Sequence, residues 1–267
     1  MKKMRLSAWL IALLIGAGTL AGCASGPGGR AQGDATLDST NMDRTDAQKR
    51  ASIRLQLAVG YYRQGQLNVA LNEVKQALQA DPNLVDGYSM AALIYMDMGD
   101  TRAAEENFRR AMSLAPNDPE LSNNYGWFLC QNGRAQESIA YFKAAVQSKT
   151  YQSPGKALNN AGVCSLILKD EAAAEKYFTE AFRYEPGNPS VNVNLAKIYY
   201  ARGDFERAHF YLDRVIKDDA VTPEILLFGI KVERKRGDRS AELSLVTQLR
   251  RRYPDSAEYA SYQRGEF

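Results

Sequence analysis

Small and apolar residues recur at a fixed interval through most of the chain. Five glycines keep this interval, with successive separations of 34, 34, 70 (34 plus 36) and 34 residues: Gly65, Gly99, Gly133, Gly203 and Gly237. Four prolines follow it as well: Pro82, Pro116, Pro186 and Pro254. A period of about 34 residues predicts pairs of antiparallel helices, one pair per unit, stacked into a solenoid.

Within each unit, large and small residues alternate at helical spacing. Residues 85–118 show the pattern best, with Tyr88, Ala92, Tyr95, Ala104, Phe108 and Ala111. The small residues let helices approach closely and the large ones fill the space between them. The pattern resembles the tetratricopeptide (TPR) repeat. The resemblance implies an all-α TPR α-solenoid of six helix pairs, wound as a right-handed superhelix. Within 47–256 we place units at 51–84, 85–118, 119–152, 155–188, 189–222 and 223–256.

Some positions depart from the pattern. The segment Lys149–Pro154 carries two extra residues, and Lys169 stands where the fourth unit should have glycine. In the sixth unit, Ile230 and Glu242 occupy positions that are normally small. A terminal repeat is expected to be atypical because it caps the stack. Residues 257–267 either add a short capping helix or form a tail.

The first 22 residues have the features of a bacterial export signal. Lys2, Lys3 and Arg5 precede an apolar stretch that is too short to span a bilayer. The sequence Leu-Ala-Gly-Cys ending at Cys23 resembles the lipobox of bacterial lipoproteins. The resemblance implies cleavage before Cys23 and a covalent lipid on it, with no other cofactor. The alternative is an ordinary signal with an incidental cysteine. Ala24, where analogous proteins retained in the inner membrane carry aspartate, favours the periplasmic face of the outer membrane.

Residues 23–46 are rich in Gly, Ser, Asp and Thr and predict a flexible tether. A chain of this length typically reaches about 25 Å. The formal charge of +3 falls to zero once the three cations of residues 1–22 are removed. A neutral mature chain gives no electrostatic reason to expect nucleic-acid binding.

The sequence offers few groups for catalysis or metal binding. His209 is the one histidine, and no Cys or acidic cluster has the spacing of metal ligands. Phosphate-binding loops and nucleophile motifs are also missing. We therefore expect no enzymatic activity and no metal site, and a packed or surface role for His209.

Cys130 and Cys164 fall on the first helices of neighbouring units, which pack side by side in a solenoid. Export would place them in an oxidising compartment, and this favours a disulfide between the third and fourth units. Two separate buried thiols are the alternative, since free cysteine is readily buried.

The concave face of the solenoid is the candidate binding groove. In the TPR fold it is lined by positions 2, 5, 6, 9, 12 and 13 of each first helix. Asparagines there suit either a bound peptide backbone or a bond to the neighbouring repeat, and Trp127 suits either an anchor or inter-repeat packing. The apolar lining of the first two units indicates a partner, unless residues 47–50 or the tether cover it. The candidates are Leu55, Val59, Tyr62, Leu93, Met96, Asn123, Asn124, Trp127, Asn159, Asn160, Asn194, Lys197 and Tyr200.

The lipobox, the tether and six units, with Asn-Asn-Tyr-Gly-Trp-Phe-Leu-Cys-Gln-Asn-Gly-Arg at 123–134, resemble the type IV pilus biogenesis lipoproteins (PilF/PilW). The resemblance implies an outer-membrane pilotin that binds the secretin subunit and promotes its localisation and multimerisation. We expect a monomer. A different envelope TPR scaffold in cell-envelope assembly is the alternative. Neither the bound segment of the partner nor the part of the groove that binds it follows from the sequence.

Overall fold

The computed structural model describes residues 45–217 and 221–266. The signal peptide, Cys23 and the tether up to residue 44 lie outside the described residues. All regular structure in the described part is α-helical: α1 (Asp46–Arg63), α2 (Leu67–Ala80), α3 (Val85–Asp97), α4 (Thr101–Leu114), α5 (Pro119–Gln131), α6 (Ala135–Gln147), α7 (Pro154–Ile167), α8 (Glu171–Tyr184), α9 (Pro189–Ala201), α10 (Phe205–Ile216), α11 (Pro223–Arg236), α12 (Arg239–Arg252) and α13 (Ala257–Arg264).

Successive helices form six pairs, from α1 with α2 to α11 with α12, and each pair packs against the next. The predicted all-α TPR solenoid is confirmed. We call the odd-numbered helices α1 to α11 the first helices and their even-numbered partners the second helices. None of the described helices combines the length and the apolar character needed to cross a membrane.

The turn inside a pair combines a left-handed residue with a helix cap. Gly99 has φ +79°, and Asp100 next to it is the N-cap of α4, accepting a hydrogen bond from the backbone N–H of Ala103 in the first turn. Glycine adopts this conformation without steric cost, and aspartate is a favoured N-cap. In the fourth pair Lys169 takes the same conformation, with φ +61°. The turn is therefore kept even where the expected glycine is replaced.

The small residues of the repeat allow close contact between the helices of a pair. A Cβ atom added to Gly162 of α7 would lie 2.6 Å from Cε1 of Phe178 of α8, and Phe178 is fully buried. Gly126 and Phe142 repeat this contact in the preceding pair. Glycine on the first helix thus makes room for the ring on the second.

Both ends of the solenoid differ in detail from the sequence-based boundaries. Thr45 and Gln48 form a capping box, so α1 begins at Asp46 and residues 47–50 belong to its first turns. These four residues therefore do not fold over the groove. At the other end, α13 packs against α11, and Tyr259 and Tyr262 contact the apolar cluster of the sixth pair. The residues after 256 include a capping helix.

Candidate partner-binding groove

The first helices lie next to one another, as the contacts of α1 with α3, α3 with α5 and α5 with α7 show. Equivalent positions of successive units therefore form rows along one side of the solenoid. We call the surface formed by positions 2, 5, 6, 9, 12 and 13 of the first helices the inner face. In a TPR solenoid it is the concave side.

In the first two pairs, positions 9 and 12 of the inner face carry apolar or aromatic side chains, beside polar residues such as Gln56 and Ser89. Leu55, Val59 and Tyr62 of α1 are half-buried and pack against the core of the first pair, as Leu93 and Met96 of α3 do against the next. Their remaining exposed area is an apolar surface, which commonly marks a contact with another protein.

One tyrosine links the two helices of this apolar surface. The Tyr62 hydroxyl of α1 donates a hydrogen bond of 2.6 Å to Asp97 Oδ2 of α3. Burial and the adjacent Asp97 carboxylate raise the pKa of Tyr62 to about 12. The hydroxyl therefore stays protonated at neutral pH and keeps its role as a donor.

The asparagines in the middle of the inner face join neighbouring helices. Asn123 is buried; its Oδ1 accepts a 3.0 Å hydrogen bond from Asn160 Nδ2, which connects α5 to α7. Asn123 Nδ2 in turn donates to Asn124 Oδ1 at 3.2 Å. These contacts support the structural interpretation of Asn123 and Asn160. Asn124 Nδ2 has no hydrogen-bond partner within the described residues and remains open to a ligand.

Asn159 and Asn194 also have hydrogen-bond partners. Asn159 Oδ1 accepts a 3.0 Å hydrogen bond from the Ser190 hydroxyl of α9, and Asn194 donates to the Ser190 carbonyl at 2.9 Å. Asn159 Nδ2 has no partner in the described part of the chain. The side-chain amides that are free to donate to a ligand on the inner face are therefore fewer than the number of asparagines suggests.

The remaining predicted groove residues, Trp127, Tyr200 and Lys197, have larger side chains. Trp127 is half-buried and packs against the cluster that contains the two cysteines. The ring of Tyr200 contacts the rings of Phe205 and Phe228 at 5.4 and 5.5 Å between centroids. Lys197 is exposed. Trp127 is thus part of inter-repeat packing, with some of its surface still accessible.

Cys130 of α5 and Cys164 of α7 form a disulfide in the structure, with their Cα atoms 5.9 Å apart. Both residues are buried among residues of the third and fourth pairs. This bond and the Asn160–Asn123 hydrogen bond connect the same two helices, which flank the two-residue insertion.

The inner face also includes residues that the sequence analysis did not select. In α11 these are Leu227, Phe228 and Lys231, at the same unit positions as candidate residues of earlier repeats, and Lys235 at position 13. The 34-residue period alone identifies these positions, although the sixth unit departs from the repeat pattern elsewhere. The inner face therefore continues to the last pair.

His209 belongs to a network of polar contacts between α10 and α11. Its Nδ1 lies 2.6 Å from Oε1 of the buried Glu233, whose other oxygen accepts a hydrogen bond from Arg236 at 2.5 Å. Arg236 also bonds to Glu206 of α10. Over residues 45–217 and 221–266, no group of three or more His, Cys, Asp or Glu side chains is placed to hold a metal ion.

The chain is similar to known proteins over most of its length. Tetratricopeptide repeat models match residues 89–157 and 166–227. The type IV pilus assembly protein PilF of Pseudomonas aeruginosa is 29% identical over 231 residues, which cover 86% of this chain and 90% of PilF.

Two solved structures agree with this similarity. The crystal structure of PilW, described as a widely conserved type IV pilus biogenesis factor, has a TM-score of 0.72 and 31% identity, covering 80% of this chain and 98% of PilW. A structure of P. aeruginosa PilF has a TM-score of 0.75 and 28% identity, covering 83% of this chain and 100% of the other. With its helix pairs, its inner face and these relatives, the chain belongs to the PilF/PilW family of TPR proteins of type IV pilus biogenesis.

Proposed function

We propose that this protein is an outer-membrane pilotin, a lipoprotein that binds the secretin subunit of the type IV pilus. Binding would bring the secretin to the outer membrane and promote its multimerisation. The observation that carries the proposal is the near-complete coverage of PilF and PilW by this chain, 90% and 98%. A TPR fold alone would not distinguish this role from many others.

The proposed anchor is the lipid on Cys23. The lipobox supports it, and acyl chains on one residue hold a protein domain at a membrane surface. The 22 residues from Ala24 to Thr45 separate Cys23 from α1 and would let the solenoid sample a region of about 25 Å around the anchor.

The proposed binding surface for the secretin is the inner face. Its helices are fixed by inter-repeat contacts such as Tyr62–Asp97 and Asn160–Asn123, so a partner meets a surface that is already ordered. The apolar end, with Val59 and Leu93, would supply most of the binding free energy through burial of apolar area. In this proposal the protein holds its partner and carries out no reaction.

The anchor is tested by replacing Cys23 with serine in the bacterium and fractionating the membranes. We expect secretin monomers away from the outer membrane and few multimers. Ser25→Ala, a neighbouring change that leaves the lipobox intact, is the matched control and should behave as the parent. Normal multimers in the Cys23→Ser strain would contradict the proposal. If deletion of the whole protein leaves secretin and pili intact, a different envelope scaffold is the better assignment.

The binding surface is tested by introducing a charged residue on the first pair. Val59→Asp on the inner face should weaken secretin binding at least about tenfold, because a carboxylate in an apolar contact loses hydration. Val69→Asp on α2, where the valine is 41% exposed, is the matched control and should not change binding. Circular dichroism of both variants checks folding. Equal loss of binding in both would remove the inner face of the first pair from the proposal.

A further inference from the structure

One row of the inner face changes its chemistry along the solenoid. Position 9 of the six units is occupied, in order, by Val59, Leu93, Trp127, Val163, Lys197 and Lys231. The row is apolar through four units and cationic in the last two. Lys235, at position 13 of the sixth unit, adds another positive charge. The two ends of the inner face therefore differ in the ligands they suit.

Aromatic rings lie among these lysines. Tyr200 of α9 and Phe228 of α11 meet edge to face at 5.5 Å and are both half-buried. On α9, Tyr200 lies three residues after Lys197, and on α11, Phe228 lies three residues before Lys231. The lysine and the aromatic ring of each helix therefore share one helix face. The surface at the end of the groove thus combines two cations with an apolar floor.

Within the part of the chain that the structure describes, these lysines have no acidic partner of their own. Among the described residues, Lys197, Lys231 and Lys235 form no ion pair, whereas the neighbouring Arg234 and Arg236 bond to buried Glu242 and Glu233. The inner-face acid of α11, Glu224, is seven residues before Lys231, about 10 Å along the helix. Glu258 occupies the equivalent position in α13. Asp204 and Glu206 line a hollow together with Lys235, but each is already paired with an arginine, Arg207 and Arg236 respectively. Lysines without ion-pair partners of their own attract carboxylates.

We propose that the inner face of α9 and α11 binds an acidic segment of a protein partner, one that also carries an aromatic or aliphatic side chain. The carboxylates would pair with Lys197, Lys231 and Lys235, and the apolar side chain would rest on Tyr200 and Phe228. A chain lying in a concave groove reaches these residues, whereas a flat bilayer meets the rims of the groove first. The inference rests on the proposed function in that the partner is a protein.

The test uses the mature chain, residues 23–267 with Cys23→Ser so that no lipid interferes. The probes are two fluorescein-labelled hexapeptides, Asp-Glu-Phe-Asp-Glu-Leu and its amide counterpart Asn-Gln-Phe-Asn-Gln-Leu, read by fluorescence anisotropy at low salt. We expect the acidic peptide to bind about tenfold more tightly than the amide peptide, with a preference that decreases as salt is added.

Charge reversal locates the site. Lys197→Glu with Lys231→Glu should abolish the preference and give binding of Lys-Lys-Phe-Lys-Lys-Leu instead, a gain that an unfolded variant would not show. The matched control is Lys143→Glu with Lys176→Glu, which makes the same charge change at exposed positions of α6 and α8. It should retain the preference for the acidic peptide.

Three results would overturn the inference: equal affinity for the acidic and amide peptides, equal loss in the control pair, or lysine-dependent binding only to vesicles of phosphatidylethanolamine and phosphatidylglycerol. Its failure is distinguishable from failure of the proposed function. If Cys23→Ser keeps secretin away from the outer membrane but the protein does not bind the acidic peptide, the inference alone is wrong. If secretin multimers are normal in the Cys23→Ser strain but the protein binds the acidic peptide through its lysines, the pilotin role alone is wrong.

Discussion

Glu242 shows how a single residue that breaks the repeat pattern is accommodated. It occupies a position that is normally small, yet its side chain is 3% exposed and accepts hydrogen bonds from Arg234 at 2.7 Å and Arg239 at 3.0 Å. Burial by itself would raise the pKa of Glu242, but the two guanidinium groups outweigh it and hold the pKa below its usual value. A buried carboxylate is tolerable here because both of its oxygens are paired.

This pairing predicts a pH-dependent contribution to stability. The pKa of Glu242 is lower in the folded state, so its contribution is complete above the unfolded-state pKa of about 4.5 and is lost as pH falls through the folded-state pKa. Glu242→Gln should therefore lower the free energy of unfolding by about 2 kcal/mol at pH 7 and by much less near pH 3. Urea unfolding at both pH values measures the difference.

The control is Glu106→Gln, which removes an exposed ion pair with Arg102. It should change the free energy of unfolding by less than about 0.5 kcal/mol at either pH. A loss in Glu242→Gln that is the same at pH 7 and pH 3 would show that packing of the side chain, not its charge, is what matters.

At the residue scale, the sequence predicted more about packing than about polar partners. The period identified Lys169 as a turn residue although it is not glycine, and its φ of +61° agrees. It could not distinguish a ligand-binding asparagine from a structural one, because both need the same amide. Only coordinates show that Asn160 donates to Asn123 across two helices.

At the scale of helices, the packing distance within a pair depends on the absence of a side chain. Gly162→Ala should lower the free energy of unfolding by about 1–3 kcal/mol, because the new Cβ would lie 2.6–2.8 Å from ring atoms of buried Phe178. Gly60→Ala in α1 is the matched control: apart from its chain neighbours and the backbone of its own helix, no heavy atom of the described residues lies within 4 Å of the added Cβ, and alanine favours helix. It should be neutral or stabilising in urea unfolding. Equal destabilisation of the two variants would contradict the close-contact explanation.

The link between α5 and α7 predicts a dependence on redox state. The disulfide closes a segment with a sequence separation of 34 residues, and such a link stabilises by about 4 kcal/mol through the unfolded chain. Cys130→Ala with Cys164→Ala should lose about this amount in urea unfolding. Dithiothreitol should destabilise the parent and leave the double variant unchanged. Two free thiols in the purified, unfolded parent would contradict the bond.

At the scale of the whole molecule, each pair depends on its neighbours for a complete core. Among the described helices, the sixth pair has one helical pair beside it, and α13 covers its other side through Tyr259 and Tyr262. Removing residues 257–267 should therefore speed amide hydrogen exchange in α11 and α12, with little change in α5 to α8. Mass spectrometry of peptic fragments measures this. A uniform increase across all pairs would indicate one cooperative unit.

The number and order of helix pairs followed from the sequence because each unit repeats the same local contacts. The ends did not, since α1 starts at a capping box ahead of the first unit and α13 follows the last. Terminal elements lack a second neighbour, so their residues carry less of the repeat signal from which boundaries are inferred.

The unlike ends of the position-9 row give the inner face a direction. Val59 and Leu93 begin it and Lys197 and Lys231 end it, so a bound segment turned end for end would set carboxylates against valine and leucine. Only one orientation of such a segment satisfies both ends at once. The order of apolar and acidic residues along a partner, and not only its composition, would then decide whether it is accepted.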